Sequence, residues 1–278
     1  MSSPSSISHR PSSSNEAPCA SLLSPLRTQL RVIGALLMRE ILTRYGRKNI
    51  GFLWLFVEPM LFALTISLIW TLIRVKSFEA IPIFAFVLVS YLTVPLWRRA
   101  VSRCSGAIEP NRSLLYHRHI SVLDFYFTRV LLEGVGATMA LVGLVLLCAL
   151  FYVVPLPLDP LQVAAAWLML AWFGFGLALL VGSMIQRVPL LQKAWQPFSL
   201  ALFLTSAVFF PAYVVPAAGR EILLWSPLVS GIEYLREGYF GPVIPYYYDM
   251  FYMAVCNLLL TVLGLVSVRL LGKHITAD

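Results

Sequence analysis

The sequence predicts an all-α polytopic membrane protein with six transmembrane helices. Of its 278 residues, 59% are hydrophobic and only 12% are charged, whereas a soluble domain carries roughly 25% charged residues. The mean hydropathy is +0.80. A spanning helix needs about 20 mainly apolar residues. The chain offers six such runs, at about 53–73, 81–97, 125–154, 161–183, 195–215 and 250–271.

Residues 1–25 contain ten serines and four prolines. Such a composition does not bury enough apolar surface to fold. It also lacks the continuous apolar core of a secretory signal peptide. We therefore predict a disordered cytoplasmic tail, followed by one membrane domain over residues 26–278.

Residues 26–48 precede the first apolar run and carry apolar residues at helical spacing. Steps of three and four residues place one set on a single helix face; the set is Leu26, Leu30, Ile33, Leu37 and Ile41. Arg27, Arg31 and Arg39 make the stretch too charged to span. We predict an amphipathic interfacial helix with its apolar face in the lipid. A soluble helix packed against a partner protein is the alternative.

Basic residues are unevenly distributed between the predicted loops, and the net charge is +8. Of the 21 Lys and Arg residues, all but four fall on the side of the N-terminus; the four are Arg74, Lys76, Arg220 and Arg236. The positive-inside rule then places both termini in the cytoplasm. We attribute the positive charge to orientation in the membrane and expect no nucleic acid partner.

The segment before the last span, residues 211–249, is apolar but broken by prolines. These are Pro211, Pro216, Pro227, Pro242 and Pro245. The prolines predict two short helices, near 219–225 and 228–240, on the external side. We expect them to re-enter the outer leaflet, where surrounding protein must shelter their free backbone groups.

Charged residues inside the apolar runs are costly and therefore informative. Glu58 lies about two turns into the first span, beside Pro59. Arg129 and Glu133 stand four residues apart at the start of the third span, where they share a helix face and can pair. Glu58 and Glu133 either neutralise nearby arginines or take part in gating or substrate contact. The sequence does not distinguish between these two roles.

Motifs for chemistry are mostly absent from the sequence. Gly272-Lys273 lacks the other elements of a P-loop, and the four cysteines show neither metal nor disulfide spacing. His119 and Asp124 have the HxxxxD spacing of membrane acyltransferases, but no loop is long enough for a catalytic domain. An ion-driven transporter would need charges at the bilayer midplane, and the central parts of four spans carry none.

Three blocks of sequence resemble the membrane subunits of type-2 ABC exporters, and most of all the capsular polysaccharide export permeases. They are RYGRKNIGFLWLFVEP at 44–59, GAIEPNRSLLYHRHISVLDFYFTRVLLE at 106–133, and FFPAYVVPAAGREILLWSPLVSGIEYLREGYF at 209–240. The likeness covers about residues 26–272. It implies two copies of this chain with two separate ATPase subunits, which bind the ATP and magnesium.

The resemblance also implies sites. A coupling helix over Ile108–Leu115 would dock into the ATPase, with a smaller contact over Gln186–Lys193; a solvated basic linker is the alternative for the first loop. The coupling residues are Ile108, Glu109, Pro110, Asn111, Arg112, Leu115, Gln186 and Arg187. The substrate and gate residues are Arg44, Arg47, Lys48, Trp54, Glu58 and Pro59. The periplasmic gate residues are Arg220, Glu221, Trp225, Glu233, Tyr234 and Arg236.

The function implied is that of a non-enzymatic permease subunit in an ATP-driven exporter. It would move lipid-linked capsular polysaccharide across the bacterial inner membrane. Periplasmic co-polymerase-like and outer-membrane proteins would continue the path. Export of O-antigen, teichoic acid, drugs or other lipids and glycolipids is the alternative within the class, and the acyltransferase is the alternative outside it.

Overall fold

The structure is a computed structural model that describes residues 20–45, 49–73, 81–111 and 121–277. Residues 1–19 of the predicted tail over 1–25 lie outside these ranges, as do Arg47 and Lys48. The prediction is wrong for residues 20–25, which form the first turns of a helix. The α-helices of the described part are α1 Ala20–Tyr45, α2 Asn49–Ile73, α3 Ile83–Tyr91, α4 Val94–Cys104, α5 Val122–Leu150, α6 Pro160–Arg187, α7 Leu191–Leu204, α8 Ala217–Leu224, α9 Pro227–Phe240 and α10 Met250–Ala277. A short 3-10 helix covers Ala212–Val214.

Five helical segments of the described part are long and apolar enough to cross a membrane. They are Leu53–Ile73, Ile83–Cys104, Val122–Leu150, Pro160–Arg187 and Met250–Lys273. Four of the predicted runs therefore match within a few residues. The second run is longer than predicted, because α4 continues the helical path of α3 beyond residue 97 to Cys104.

The prediction of one continuous helix over 195–215 is wrong. Helix α7 has 14 residues, which gives it a length of about 21 Å, whereas the hydrocarbon core is about 30 Å thick. The hydroxyl of Thr205 donates to the carbonyl of Ala201 at 2.9 Å and that of Ser206 to Phe203 at 2.7 Å. These side chains bond locally to the backbone where the helix ends, and Ala207 then adopts a positive φ of 58°.

Helix α6 lies at the centre of the fold and packs on α4, α9 and α10. Close approach is possible because glycines face its neighbours, as is common between membrane helices. A Cβ on Gly174 would lie 2.2 Å from the carbonyl oxygen of Leu96, and one on Gly264 would lie 3.1 Å from that of Gly176. The glycines therefore seat α4 and α10 directly against the backbone of α6.

Helix α1 packs on α5 through a face that differs from the predicted apolar stripe. Leu36 is buried, whereas Leu30 of the stripe is 68% exposed. Polar residues share the face of Leu36, since Gln29 donates to Asp124 and Arg44 donates to Glu133. The helix itself is confirmed; it begins six residues before the predicted start at residue 26.

The two short helices expected near 219–225 and 228–240 are confirmed as α8 and α9. Pro216 and Pro227 stand at their starts. Proline is tolerated there because the first N–H groups of a helix have no intrahelical acceptor. Gly241 ends α9 with a φ of 75°, a conformation that glycine adopts without steric cost.

Candidate functional site

A network of arginines and glutamates joins α1, α2, α4 and α5. Its centre is Glu133 on α5, whose side chain is only 2% exposed. The Nη1 atom of Arg44 lies 2.5 Å from one carboxylate oxygen of Glu133, and the Nε atom of Arg103 lies 3.4 Å from the same oxygen. The Nε atom of Arg99 lies 3.8 Å from the other oxygen. Guanidinium groups from two other helices therefore surround this one buried carboxylate.

Two further carboxylates extend the network. Glu40 on α1 lies 2.9 Å from Arg44 and 3.2 Å from Arg129. Glu58 on α2 lies 2.5 Å from the Nη2 atom of Arg99. Each of the four helices thus contributes at least one charged side chain, and none of the carboxylates lacks a cation.

The predicted pair between Arg129 and Glu133 is wrong, because no ion pair forms between them. Arg129 instead binds Glu40 and donates from Nη1 to the carbonyl oxygen of Arg103 at 2.5 Å. Spacing of four residues places both groups on one helix face. The spacing does not determine which group each of them binds, because α1 and α4 bring Glu40 and three other guanidinium groups to the same face.

The electrostatic balance of the network is nearly neutral. Four arginines (Arg44, Arg99, Arg103 and Arg129) face three glutamates (Glu40, Glu58 and Glu133). Removing charges from water is costly, and pairing offsets the cost only when each group keeps its partners. Each arginine of the network is paired with a glutamate, so the network binds the four helices to one another.

The predicted gate residues divide into three groups. Arg44 and Glu58 belong to the network, and Glu58 has the arginine partner that one of the sequence interpretations required. Trp54 is 55% exposed and Pro59 lies inside α2, next to Glu58. Arg47 and Lys48 lie outside the described residues.

The predicted coupling loop follows α4. Residues 109–111 form a single 3-10 turn, in which Glu109 and Pro110 are exposed while Ile108 and Asn111 are buried. The side chain of Asn111 donates to the carbonyl of Ala107 at 2.9 Å. The buried side chains of Ile108 and Asn111 therefore anchor the exposed residues Glu109 and Pro110, which we call the tip. The rest of the predicted helix, with Arg112 and Leu115, lies outside the described residues.

The second predicted contact lies at the end of α6 and is tied to its neighbours. Gln186 donates to the carbonyl of Ser105, and Arg187 donates to the carbonyl of Ser267. Ser105 directly follows α4, so the two predicted contacts share one end of the molecule. Arg39 of α1 reaches the same region and donates to the carbonyl of Pro110 at 3.5 Å.

Asp124 of the HxxxxD spacing has a structural role. Its carboxylate accepts from the backbone N–H of Ser121 at 2.7 Å, and the Ser121 hydroxyl accepts from the N–H of Asp124. This capping box starts α5. Gln29 donates to the same carboxylate. His119 lies outside the described residues.

The predicted periplasmic gate contains a buried ion pair on α9. Arg236 and Glu233 are both 0% exposed, and their side chains lie 2.9 Å apart. Arg236 also donates to the hydroxyl of Ser90 at 2.8 Å and to the carbonyl of Val208 at 2.9 Å. Glu233 accepts from the backbone N–H of Ala212 at 3.3 Å. We call this arrangement the α9 clamp, since it binds α3 and the broken chain after α7.

The other predicted gate residues lie on the surface around the clamp. The guanidinium of Arg220 stands 4.2 Å above the ring of Tyr247. Tyr234 and Tyr248 pack with ring centroids 5.0 Å apart. Tyr248 also donates to Glu237 at 2.6 Å, and that bond raises the pKa of Tyr248 to about 12. Trp225 is 76% exposed and Glu221 is exposed.

Sequence reasoning missed Glu40, Arg99 and Arg103 as site residues. It treated both arginines as loop charges that set orientation. The signal was present, since residues 99 and 103 stand four apart at the end of an apolar run and share one helix face. Extending the second span to Cys104 would have placed both inside the membrane helix.

These features define a helical membrane protein that carries a charge network near one end and a proline-broken segment near the other. Residues 31–240 match the ABC-2 type transporter family, and the chain belongs to that family.

Three relatives are similar over nearly their whole length. The chain is 42% identical over 250 residues to the capsule polysaccharide export inner-membrane protein BexB of Haemophilus influenzae, covering 90% of this chain and 94% of the relative. It is 42% identical over 255 residues to the capsule polysaccharide export inner-membrane protein CtrC of Neisseria meningitidis serogroup A, covering 92% and 96%. It is 27% identical over 249 residues to the polysialic acid transport protein KpsM of Escherichia coli, covering 88% and 95%.

Proposed function

We propose that this chain is the transmembrane permease subunit of an exporter that moves lipid-linked capsular polysaccharide across the inner membrane. The observation that carries the proposal is the 42% identity to capsule export inner-membrane proteins over 90% of the chain. The chain itself transfers no chemical groups in this proposal.

The proposed assembly has two copies of this chain and two separate ATPase subunits that bind ATP and magnesium. Periplasmic co-polymerase-like and outer-membrane proteins continue the path. Both termini lie in the cytoplasm. That orientation requires an even number of crossings, and five helical segments are long enough to cross. In this proposal α7 together with residues 205–216 completes a sixth crossing that α7 is too short to make alone. The α9 clamp supports this reading, because it satisfies carbonyl groups of the broken chain inside protein.

The charge network supplies a route for coupling. The exposed tip at Glu109 and Pro110 follows α4, and α4 carries Arg99 and Arg103 into the network. A movement of the tip driven by the ATPase would therefore shift the partners of Glu58 on α2 and Glu133 on α5. Packed elements of this kind switch as rigid bodies.

Helix α1 is the proposed gate at the cytoplasmic surface. Its exposed apolar residues include Leu30, Met38 and Leu42, which fit an interfacial position. Its opposite face is held by Arg44 and Glu40 in the network. Opening the gate would therefore require exchange of the ion pairs to Glu133 and Arg129.

Deletion of the gene tests the function. We expect polymer to disappear from the cell surface and to accumulate in the cytoplasm, and we expect the wild-type chain to restore export. A Glu133→Gln chain that inserts at normal levels should restore export poorly. Surface polymer at wild-type levels in the deletion strain would contradict the proposal.

A further inference from the structure

A small cavity of about 200 Å³ lies between α2, α3 and α4. Its lining includes Glu58 and Phe62 of α2, Tyr91 of α3, and Pro95, Arg98 and Arg99 of α4. The cavity thus places three charged side chains in a mainly apolar wall. Of the residues that line the cavity, Glu58 and Arg99 also belong to the charge network.

Arg98 has no anionic partner in the part of the chain that the structure describes. Arg99 lies 2.5 Å from Glu58 and so neutralises the carboxylate of the cavity. Arg98 is half-buried, and its guanidinium instead stands 5.5 Å from the ring centroid of Phe203. The charged groups that line the cavity therefore sum to one positive charge. A cation inside a membrane helix is costly without a counter-ion, so the cavity is poised for an anion.

The depth of Arg98 restricts the anion to one that lipids carry. Arg98 lies six residues before the end of the span at Cys104, or about 9 Å along the helix. Each headgroup layer is roughly 5–8 Å thick. Arg98 therefore lies near the boundary between headgroups and hydrocarbon, where amphiphiles place their phosphates.

The surroundings of the cavity fit a lipid. Phe62 and Leu61 of α2 are 57% and 49% exposed and offer an apolar surface beside the cavity. A guanidinium fork matches the oxygens of a phosphate.

We propose that Arg98 and this cavity bind the phosphodiester of a lipid, with the lipid chains along α2. Two sources supply such a group: a phosphate at the lipid end of the exported glycan, which belongs to the proposal, and an ordinary anionic phospholipid. The first source rests on the proposed function, whereas the binding chemistry does not.

Lipid binding to the purified full chain tests the site. The delipidated protein in detergent is titrated with phosphatidylglycerol or with diacylglycerol, which lacks the phosphate, and bound lipid is counted by native mass spectrometry. We expect Arg98→Gln to weaken phosphatidylglycerol binding about tenfold, the loss of one hydrogen bond to a charged group. Diacylglycerol binding should not change. Arg98→Lys should bind phosphatidylglycerol more weakly than the wild type and more tightly than Arg98→Gln, because it keeps the charge but lacks the guanidinium fork.

Arg269→Gln is the matched control, since Arg269 is exposed on α10 and forms no ion pair within the described residues. An equal loss in that variant, or unchanged binding in Arg98→Gln, would overturn the proposal. So would an equal loss of diacylglycerol binding, because the cavity would then recognise no phosphate.

Copurification of the exported glycolipid with the protein shows which of the two lipids occupies the cavity. If its lipid end occupies the site, less glycolipid should copurify with Arg98→Gln than with the wild type, and export should fall. If phospholipid alone occupies the site, glycolipid copurification and export should match the wild type while phosphatidylglycerol binding falls. Should the wild-type chain export no polymer, the proposed function fails, and the phosphatidylglycerol titration still decides the site.

Discussion

Arg44 on α1 and Glu133 on α5 lie 2.5 Å apart, although 89 residues separate them in the sequence. The contact fixes the proposed gate helix to the transmembrane core through a carboxylate that is almost fully buried. Arg99 and Arg103 bring α4 to the same carboxylate. Glu133 is therefore the point at which the proposed gate helix meets α4, the helix that leads to the proposed coupling tip.

Replacing Glu133 with Gln should destabilise the protein by roughly 3–5 kcal/mol, because three guanidinium groups lose the carboxylate that offsets their charge. The measurement is thermal unfolding in detergent, together with export. Glu237→Gln makes the same chemical change beside neutral partners, Gln162 and Tyr248, and should have a much smaller effect. Equal effects of the two variants would contradict a central role for Glu133.

The ion pair between Glu58 and Arg99 should contribute about 1 kcal/mol or less. Both side chains are partly exposed, at 36% and 21%, and exposed pairs contribute little. A double-mutant cycle with Glu58→Gln and Arg99→Gln, measured by unfolding, gives the coupling energy directly. Several kcal/mol of coupling would show that the pair is more shielded than its exposure indicates.

Replacing Arg236 with Met should destabilise the region after α7 by about 3–5 kcal/mol, because Glu233 stays buried without its cation. Carbonyl groups of the broken chain, including that of Val208, also lose their donor. Limited proteolysis from the periplasmic side should detect the exposed segment. Arg220→Met is the control, since the Arg220 side chain forms no ion pair within the described residues and stands over the ring of Tyr247. Wild-type resistance to protease in Arg236→Met would refute the clamp.

Changing Glu109 to Arg should reduce export and the ATPase activity of the assembled complex without lowering the amount of protein in the membrane. The side chain is exposed and makes no ion pair within the described residues, so the change should disturb docking only. Glu109→Asp keeps the charge and should retain activity. Normal export by Glu109→Arg would remove the coupling assignment.

Much of the fold followed from the sequence, and the failures have physical causes. Hydropathy located four spans, and Pro216 and Pro227 located α8 and α9. Hydropathy could not reveal the end of α7 at Leu204, because the residues that follow are still apolar although the backbone leaves the helix and Ala207 adopts a positive φ of 58°.

The sequence also could not predict which arginine binds which glutamate in the network. The spacing of Arg129 and Glu133 is correct for a pair, yet each binds a residue from another helix. Which charges meet depends on how α1 and α4 pack against α5, and residues 89 positions apart in the sequence carry no local signal of contact. The buried pair of Glu233 and Arg236, three residues apart, was nearer to prediction because both groups lie on one helix.

The most direct test of the account is ATP-dependent uptake of lipid-linked polysaccharide into inverted inner-membrane vesicles. Vesicles with the wild-type chain and its ATPase should accumulate protected polymer, and vesicles without the chain should not. Vesicles with Glu133→Gln should show greatly reduced uptake at equal protein levels. Uptake that proceeds equally without this chain would contradict the claim that it forms the export path.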